Sequence, residues 1–154
     1  VLPVPKKAAI VVGKGEGDTL LTSFDRALLD AGIGNYNLLK VSSILPPHAE
    51  VVKEIHVPEG ALLPTAYGTI SSSKVGETIT AAIAIGVPED PTNVGVIMEF
   101  SGSCSEKEAE EIVRKMVKES FEMRGYALKE VFSGSVSHVV EKNGSVIAAA
   151  IMWY

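Results

Sequence analysis

The chain has 154 residues, a formal net charge of −5, 46% hydrophobic and 21% charged residues and a single cysteine, with a sequence pI near 5.2 and a mean hydropathy of +0.24. Surface scaling at this size predicts burial of roughly 70% of the unfolded chain's surface, enough for a core without disulfides or metal, and the composition excludes disorder. The acidic balance argues against a nucleic-acid partner, and the lone cysteine argues against a disulfide framework and for a reducing, cytoplasmic compartment.

Ala8–Val12 is a short β-branched run that reads as a buried strand ending at Gly13. Gly13 to Asp18 reads as a loop, with Asp18 or Thr19 capping a helix whose apolar stripe is Leu20, Leu21, Phe24, Leu28 and Ala31. Gly32 ends that helix, and a second strand runs from Tyr36 to Val41, stopping before Pro46-Pro47. Ala61–Ser71 and Thr78–Val87 are strands. In the second of these, Thr78, Thr80, Ala82, Ala84 and Gly86 make a small-residue face, and Ile79, Ala81, Ile83, Ile85 and Val87 an apolar one. Val94–Phe100 is a further strand. Ser105 to Glu108 matches a capping box and opens a helix with Ala109, Ile112, Val113, Met116, Val117 and Phe121 inward and Gly125 just beyond its end. Leu128–Val140 and Ser145–Trp153 read as a hairpin-like pair joined at Asn143-Gly144. Two halves with one helix each, and many strands, predict an α/β single domain with two sheets face to face and a helix on each outer side.

No uncharged stretch reaches the ~20 residues of a membrane span, and the Val1–Pro5 lead has no apolar core of signal-peptide length. The Gly13–Asp18 segment follows a strand and precedes a helix, but its G-x-G-x-G spacing matches neither the dinucleotide fingerprint nor the Walker pattern. His48, His56 and His138 have no ligand-like spacing to one another or to Cys104, so no metal site is expected. Cys104 has no sequence neighbour that would activate it. Ser42-Ser43, between an apolar strand and the Pro-Pro turn, would alone pass for an ordinary strand end.

The segments FDRALLDAGIGNYNLLKVSSILPP, GALLPTAYG, GETITAAIAIGVP, VIMEF, EMRGY and AAAIMWY, in this order, resemble the pyruvoyl-dependent arginine decarboxylases over nearly the whole chain. The resemblance implies a four-layer α/β/β/α sandwich assembled as a homotrimer with active sites between subunits. It also implies a cofactor made from the chain itself. The Ser43 hydroxyl attacks the Ser42 carbonyl, and an ester forms. Elimination then frees Ser42 as a new carboxyl terminus and leaves a covalent pyruvoyl group at position 43. The products are a small chain of residues 1–42 and a large chain of residues 43–154. Asn37 matches the asparagine that supports this step, and its amide can donate to a tetrahedral oxyanion without titrating. The pyruvoyl ketone condenses with the substrate amino group and accepts the electrons released with carbon dioxide.

Glu99 matches the family's proton donor. Independently of the family, it is the only acid in an apolar strand, where desolvation favours the protonated form. Asp25 matches an acid associated with holding the substrate guanidinium, while Gly34 and Asn35, in the loop before the processing strand, are expected to line the pocket through backbone groups, with Ser42 as a further substrate-binding residue. Tyr36 is bulky where the family commonly has a small β-branched residue, which leaves the preferred amino acid open. The implied activity is conversion of L-arginine to agmatine and carbon dioxide for polyamine synthesis, without metal. Its rivals are the same chemistry on another amino acid, and an unprocessed small-molecule-binding or structural trimer.

Overall fold

A computed structural model describes residues 2–154, and its layers follow from the two-residue period of the strands. In β9 (Gly144–Trp153), Val146, Ala148, Ala150 and Met152 face one side, and Ile147, Ala149 and Ile151 the other. Both faces are apolar, so both must be covered. β9 lies in the middle of a five-stranded sheet, antiparallel to β1 (Lys7–Glu16) on one side and β5 (Leu62–Ser72) on the other. The edges of this sheet are β2 (Asn37–Lys40), parallel to β5, and the two-residue β4 (Glu50–Val51), parallel to β1. A second sheet has the order β3 (Ile44–Leu45), β7 (Gly95–Gly102), β6 (Thr78–Pro88) and β8 (Leu128–Val139), antiparallel throughout.

Three apolar cores separate four layers. Between the sheets, the small side chains Ala66, Ala148 and Ala150 oppose the large Ile83, Ile85 and Ile97. Helix α1 (Leu20–Asp30) covers the outer face of the first sheet over Ala9, Leu63, Ile147 and Ala149. Helix α2 (Glu106–Arg124) covers the second sheet, with Ala109, Val113, Val117 and Phe121 on Ala82, Ala84 and Val96. The α/β/β/α sandwich expected from the sequence is therefore the architecture formed. None of the described helices is long and apolar enough to cross a membrane.

The caps are those the sequence signals. The Thr19 hydroxyl accepts the Thr22 N–H at 3.0 Å, and that of Ser105 accepts the Glu108 N–H at 3.1 Å. Gly125 ends α2 in the left-handed region, at φ 68°.

Three local expectations change. Residues 13–16 are not loop but the end of β1, because α1 lies almost on that strand. A Cβ at Gly13 would stand 2.7 Å from the Ala31 nitrogen. For the same reason the buried face of α1 is Ser23 and Ala27, while Leu20 and Leu21 are 44% and 76% exposed. Finally, β8 and β9 are not a hairpin, since each pairs in a different sheet. A tight type I′ turn needs positive φ at both central residues, and neither Asn143 nor Gly144 has it. The connection instead steps between sheets, fastened by the Glu16 carboxylate, which accepts N–H groups from Glu141 and Lys142 and bonds His138 at 2.6 Å.

The small face of β6 is a packing requirement. A Cβ on Gly86 would lie 2.7 Å from Phe121 Cε1 and 3.3 Å from Leu128 Cδ1. Gly86→Ala is expected to lower the unfolding free energy by about 1–3 kcal/mol in urea denaturation, and an unchanged midpoint would contradict this packing.

Candidate active site

The chain changes sheets at one edge of the sandwich, at Ser42-Ser43. Residues Asn37 to Lys40 pair with Leu62 to Thr65, and the Val41 N–H continues that ladder by donating to the Thr65 carbonyl at 3.1 Å. Two residues later, the Ser43 carbonyl accepts the Ile97 N–H at 2.8 Å, and Ile44 and Leu45 pair with Val96 and Gly95. The Ser42–Ser43 peptide bond thus joins an anchor on the first sheet to an anchor on the second. Ser42 is exposed and Ser43 half-buried. A backbone hydrogen bond to a different sheet therefore lies on either side of this peptide bond.

Glu99 lies on β7 two residues beyond Ile97, so its side chain leaves the strand on the same face, ~7 Å further along. That face looks between the sheets, where Glu99 meets Gly68 of β5. Burial pushes the Glu99 pKa up, against a smaller opposing effect of the Lys40 ammonium. Lys40, the last residue of β2, has its Nζ 4.7 Å from the centroid of the Tyr67 ring, which fixes a cation close to the sheet crossing. Lys40 and Tyr67 gave no signal in the sequence, since only the parallel pairing of β2 with β5 brings them together.

The other sequence-predicted residues lie elsewhere in a single copy of the chain. Asn37 opens β2, five residues or roughly 16 Å of extended chain before Ser42. Its side-chain amide donates to the Gly60 carbonyl at 3.0 Å. Asp25 is on the exposed side of α1, in a cleft of about 340 Å³ with Asp18, Thr22 and Arg26. Gly34 is in the α1–β2 loop, where a Cβ would come within 2.6 Å of Leu29 Cδ2, so its small size serves packing there. Ser42 lines a separate cleft, also about 340 Å³, between Leu2, Pro5, Ile44, Pro64 and Tyr154. The Cys104 thiol is pushed up by burial and then by the Glu108 carboxylate, the opposite of an activated nucleophile.

The sandwich is similar in fold to a solved structure of pyruvoyl-dependent histidine decarboxylase at pH 8, with a TM-score of 0.52 and 19% identity over 64% of this chain and 53% of that one. The likeness shows a shared fold. The model of the pyruvoyl-dependent arginine decarboxylase family matches residues 7–154, and the chain belongs to that family. Among similar proteins, the pyruvoyl-dependent arginine decarboxylase of Methanocaldococcus jannaschii is 53% identical over 98% of this chain and 92% of its own length. That of Pyrococcus abyssi is 46% identical over 97% of this chain and 96% of its own.

The elevated pKa of Glu99 has a consequence for stability. A carboxyl whose pKa rises on folding binds its proton more tightly in the folded state. Its contribution is full below the ordinary carboxyl pKa and is lost as pH rises through the elevated one. Glu99→Gln has no such loss. In uncleaved Ser43→Ala protein, its thermal midpoint is expected to rise relative to that of Glu99 as the pH is raised from 4 to 7. Parallel pH curves would show that Glu99 titrates normally.

Proposed function

We propose that the chain is a self-processing decarboxylase that converts L-arginine to agmatine and carbon dioxide, with a pyruvoyl group formed at residue 43 as its only cofactor. The observation that carries this reading is the Ser42–Ser43 bond, stretched between two sheet anchors beside a half-buried carboxyl that favours its protonated form. Family membership over residues 7–154 supplies the chemistry that such a bond serves.

The Ser43 hydroxyl adds to the Ser42 carbonyl, the Ser42 C–N bond breaks, and the acyl group passes to oxygen. Loss of the Ser43 α-proton expels the Ser42 carboxylate. Addition of one water to the resulting dehydroalanine, with release of ammonia, leaves the ketone of the pyruvoyl group. When present, that group supplies the electron sink for decarboxylation. The residues of this chain do the rest. The Ile97 N–H and the β3–β7 pairing hold position 43 in place. Glu99, whose surroundings raise its pKa, returns a proton to the former α-carbon of the substrate. The Asp25 carboxylate receives the guanidinium, with the backbone around Gly34 and the Ser42 end completing the pocket, and Asn37 donates to the oxyanion of self-cleavage.

Asp25 on α1, Gly34 in the α1–β2 connection and Asn37 at the start of β2 lie away from Ser43 and Glu99 of the same copy. This supports sites shared between adjacent subunits of a homotrimer, in which one copy's connection meets the next copy's sheet crossing. Exposed leucines in the same part of the chain, Leu21, Leu29 and Leu39, suit such a contact. A cytoplasmic enzyme acting without metal or nucleic acid agrees with the sequence reading.

Carbon dioxide release from a panel of amino acids tests this function. L-Arginine is expected to be preferred, Ser43→Ala to be inactive, and Glu99→Gln to self-cleave but turn over at least ~100-fold more slowly. Release by Ser43→Ala at the wild-type rate would refute the pyruvoyl mechanism.

A further inference from the structure

At Gly68 the two sheets approach each other closely beside Glu99. It pairs with Ala148 inside the first sheet and points across the gap at Glu99, which pairs with Ile83 in the second. A Cβ at position 68 would stand 3.1 Å from Glu99 Cβ, and 3.4 Å from both Glu99 Cγ and the Phe100 nitrogen. With bond lengths of ~1.5 Å, the two Cα atoms are at most ~6 Å apart, whereas packed sheets are usually ~10 Å apart. The sandwich is pinched here. On the inward side the path of the Glu99 side chain is closed by Ile83 and Ala148, both fully buried. What remains open is the edge where β2 hands over to β3, the edge that holds Lys40 and Ser43.

We propose that Gly68 is a positioning residue for the decarboxylation step: by lacking a side chain it lets the sheets close behind Glu99 and directs that carboxyl to the edge beside residue 43. The inference rests on the reading of Glu99 as proton donor, and it assigns to β5 a role beyond pairing. Glycine is otherwise a poor choice in the interior of a strand, where it adds backbone entropy and packs nothing. Its φ is not positive, so the backbone conformation does not demand it. The close approach to Glu99 does. A methyl group at 68 requires Glu99 Cβ, and with it the carboxyl, to give by a few tenths of an ångström, and the β2–β3 edge is the side toward water. Half-burial is what raises the Glu99 pKa, and Lys40 is the charged group that acts against it. An outward shift therefore both misplaces the acid and makes it a stronger one.

The test is Gly68→Ala in the full, self-processed protein, assayed with L-arginine beside wild type, Glu99→Gln and the Gly68→Ala/Glu99→Gln double variant. Expected are normal cleavage at Ser42–Ser43, a KM within about threefold of wild type and a kcat at least tenfold lower. The high-pH limb of kcat should move to lower pH by half a unit or more. In the Glu99→Gln background, Gly68→Ala should cost less than twofold, since the acid through which it acts is already gone. An unchanged kcat and pH limb, or a full tenfold loss on top of Glu99→Gln, overturns the role of Gly68. A wild-type protein that releases no carbon dioxide from L-arginine would instead overturn the decarboxylase reading. If Gly68→Ala proves insoluble, Gly68→Ala/Glu99→Gly removes the opposing Cβ. Recovery of soluble, cleaved protein supports the pinch, and continued insolubility refutes it.

Discussion

Two backbone hydrogen bonds, Val41 N–H to the Thr65 carbonyl and Ile97 N–H to the Ser43 carbonyl, hold a three-residue passage between sheets, and the organisation of the site depends on them. Each belongs to a different ladder, so neither end of the Ser42–Ser43 bond can drift without disturbing a sheet. A backbone that is to supply its own cofactor must be fixed on both sides of the bond and remain fixed after it breaks. Cutting inside one ladder would leave a severed strand. A cut at the crossing would leave residues 7–16 and 37–40 paired with β9 and β5, so that the two pieces would still form one domain.

The same crossing explains why an enzyme can be this small. A covalent pyruvoyl group needs no binding domain, and one formed at position 43 would be held by the register of β3 against β7. Glu99 follows from that register as well, since it lies two positions past the residue that holds Ser43. Desolvation raises its pKa because the sheets close over it, and Lys40 on Tyr67 limits the rise. The acid, its tuning cation and Ser42-Ser43 come from β7, β2 and the β2–β3 connection, which meet at one edge.

Much of this was legible in the sequence where the signal is local. Ser105 and Thr19 announce the helices through hydrogen-bonding chemistry, and the alternation in Thr78–Val87 gives both faces of β6. A single acid in Val96–Phe100 marks Glu99 on solvation grounds alone. What was not legible is non-local. Asn143-Gly144 carries the composition of a tight turn, yet the chain there steps between sheets because Glu16, far away in sequence, binds the backbone of the connection. Leu20 and Leu21 have helical spacing toward a core, but α1 lies too close to β1 for leucine. Asp25, Gly34 and Asn37 were found by resemblance. One copy of the chain does not bring them to Ser43, and a resemblance marks positions without giving the distances between them.

The central claim is that Ser42–Ser43 is cut to make the cofactor, and intact mass spectrometry of the purified protein tests it most directly. The account predicts two species, a fragment ending in a free carboxyl at Ser42 and a larger one beginning with a pyruvoyl group at position 43. Together they should reflect the uptake of one water and the loss of one ammonia. A single full-length mass that persists through long incubation would contradict it.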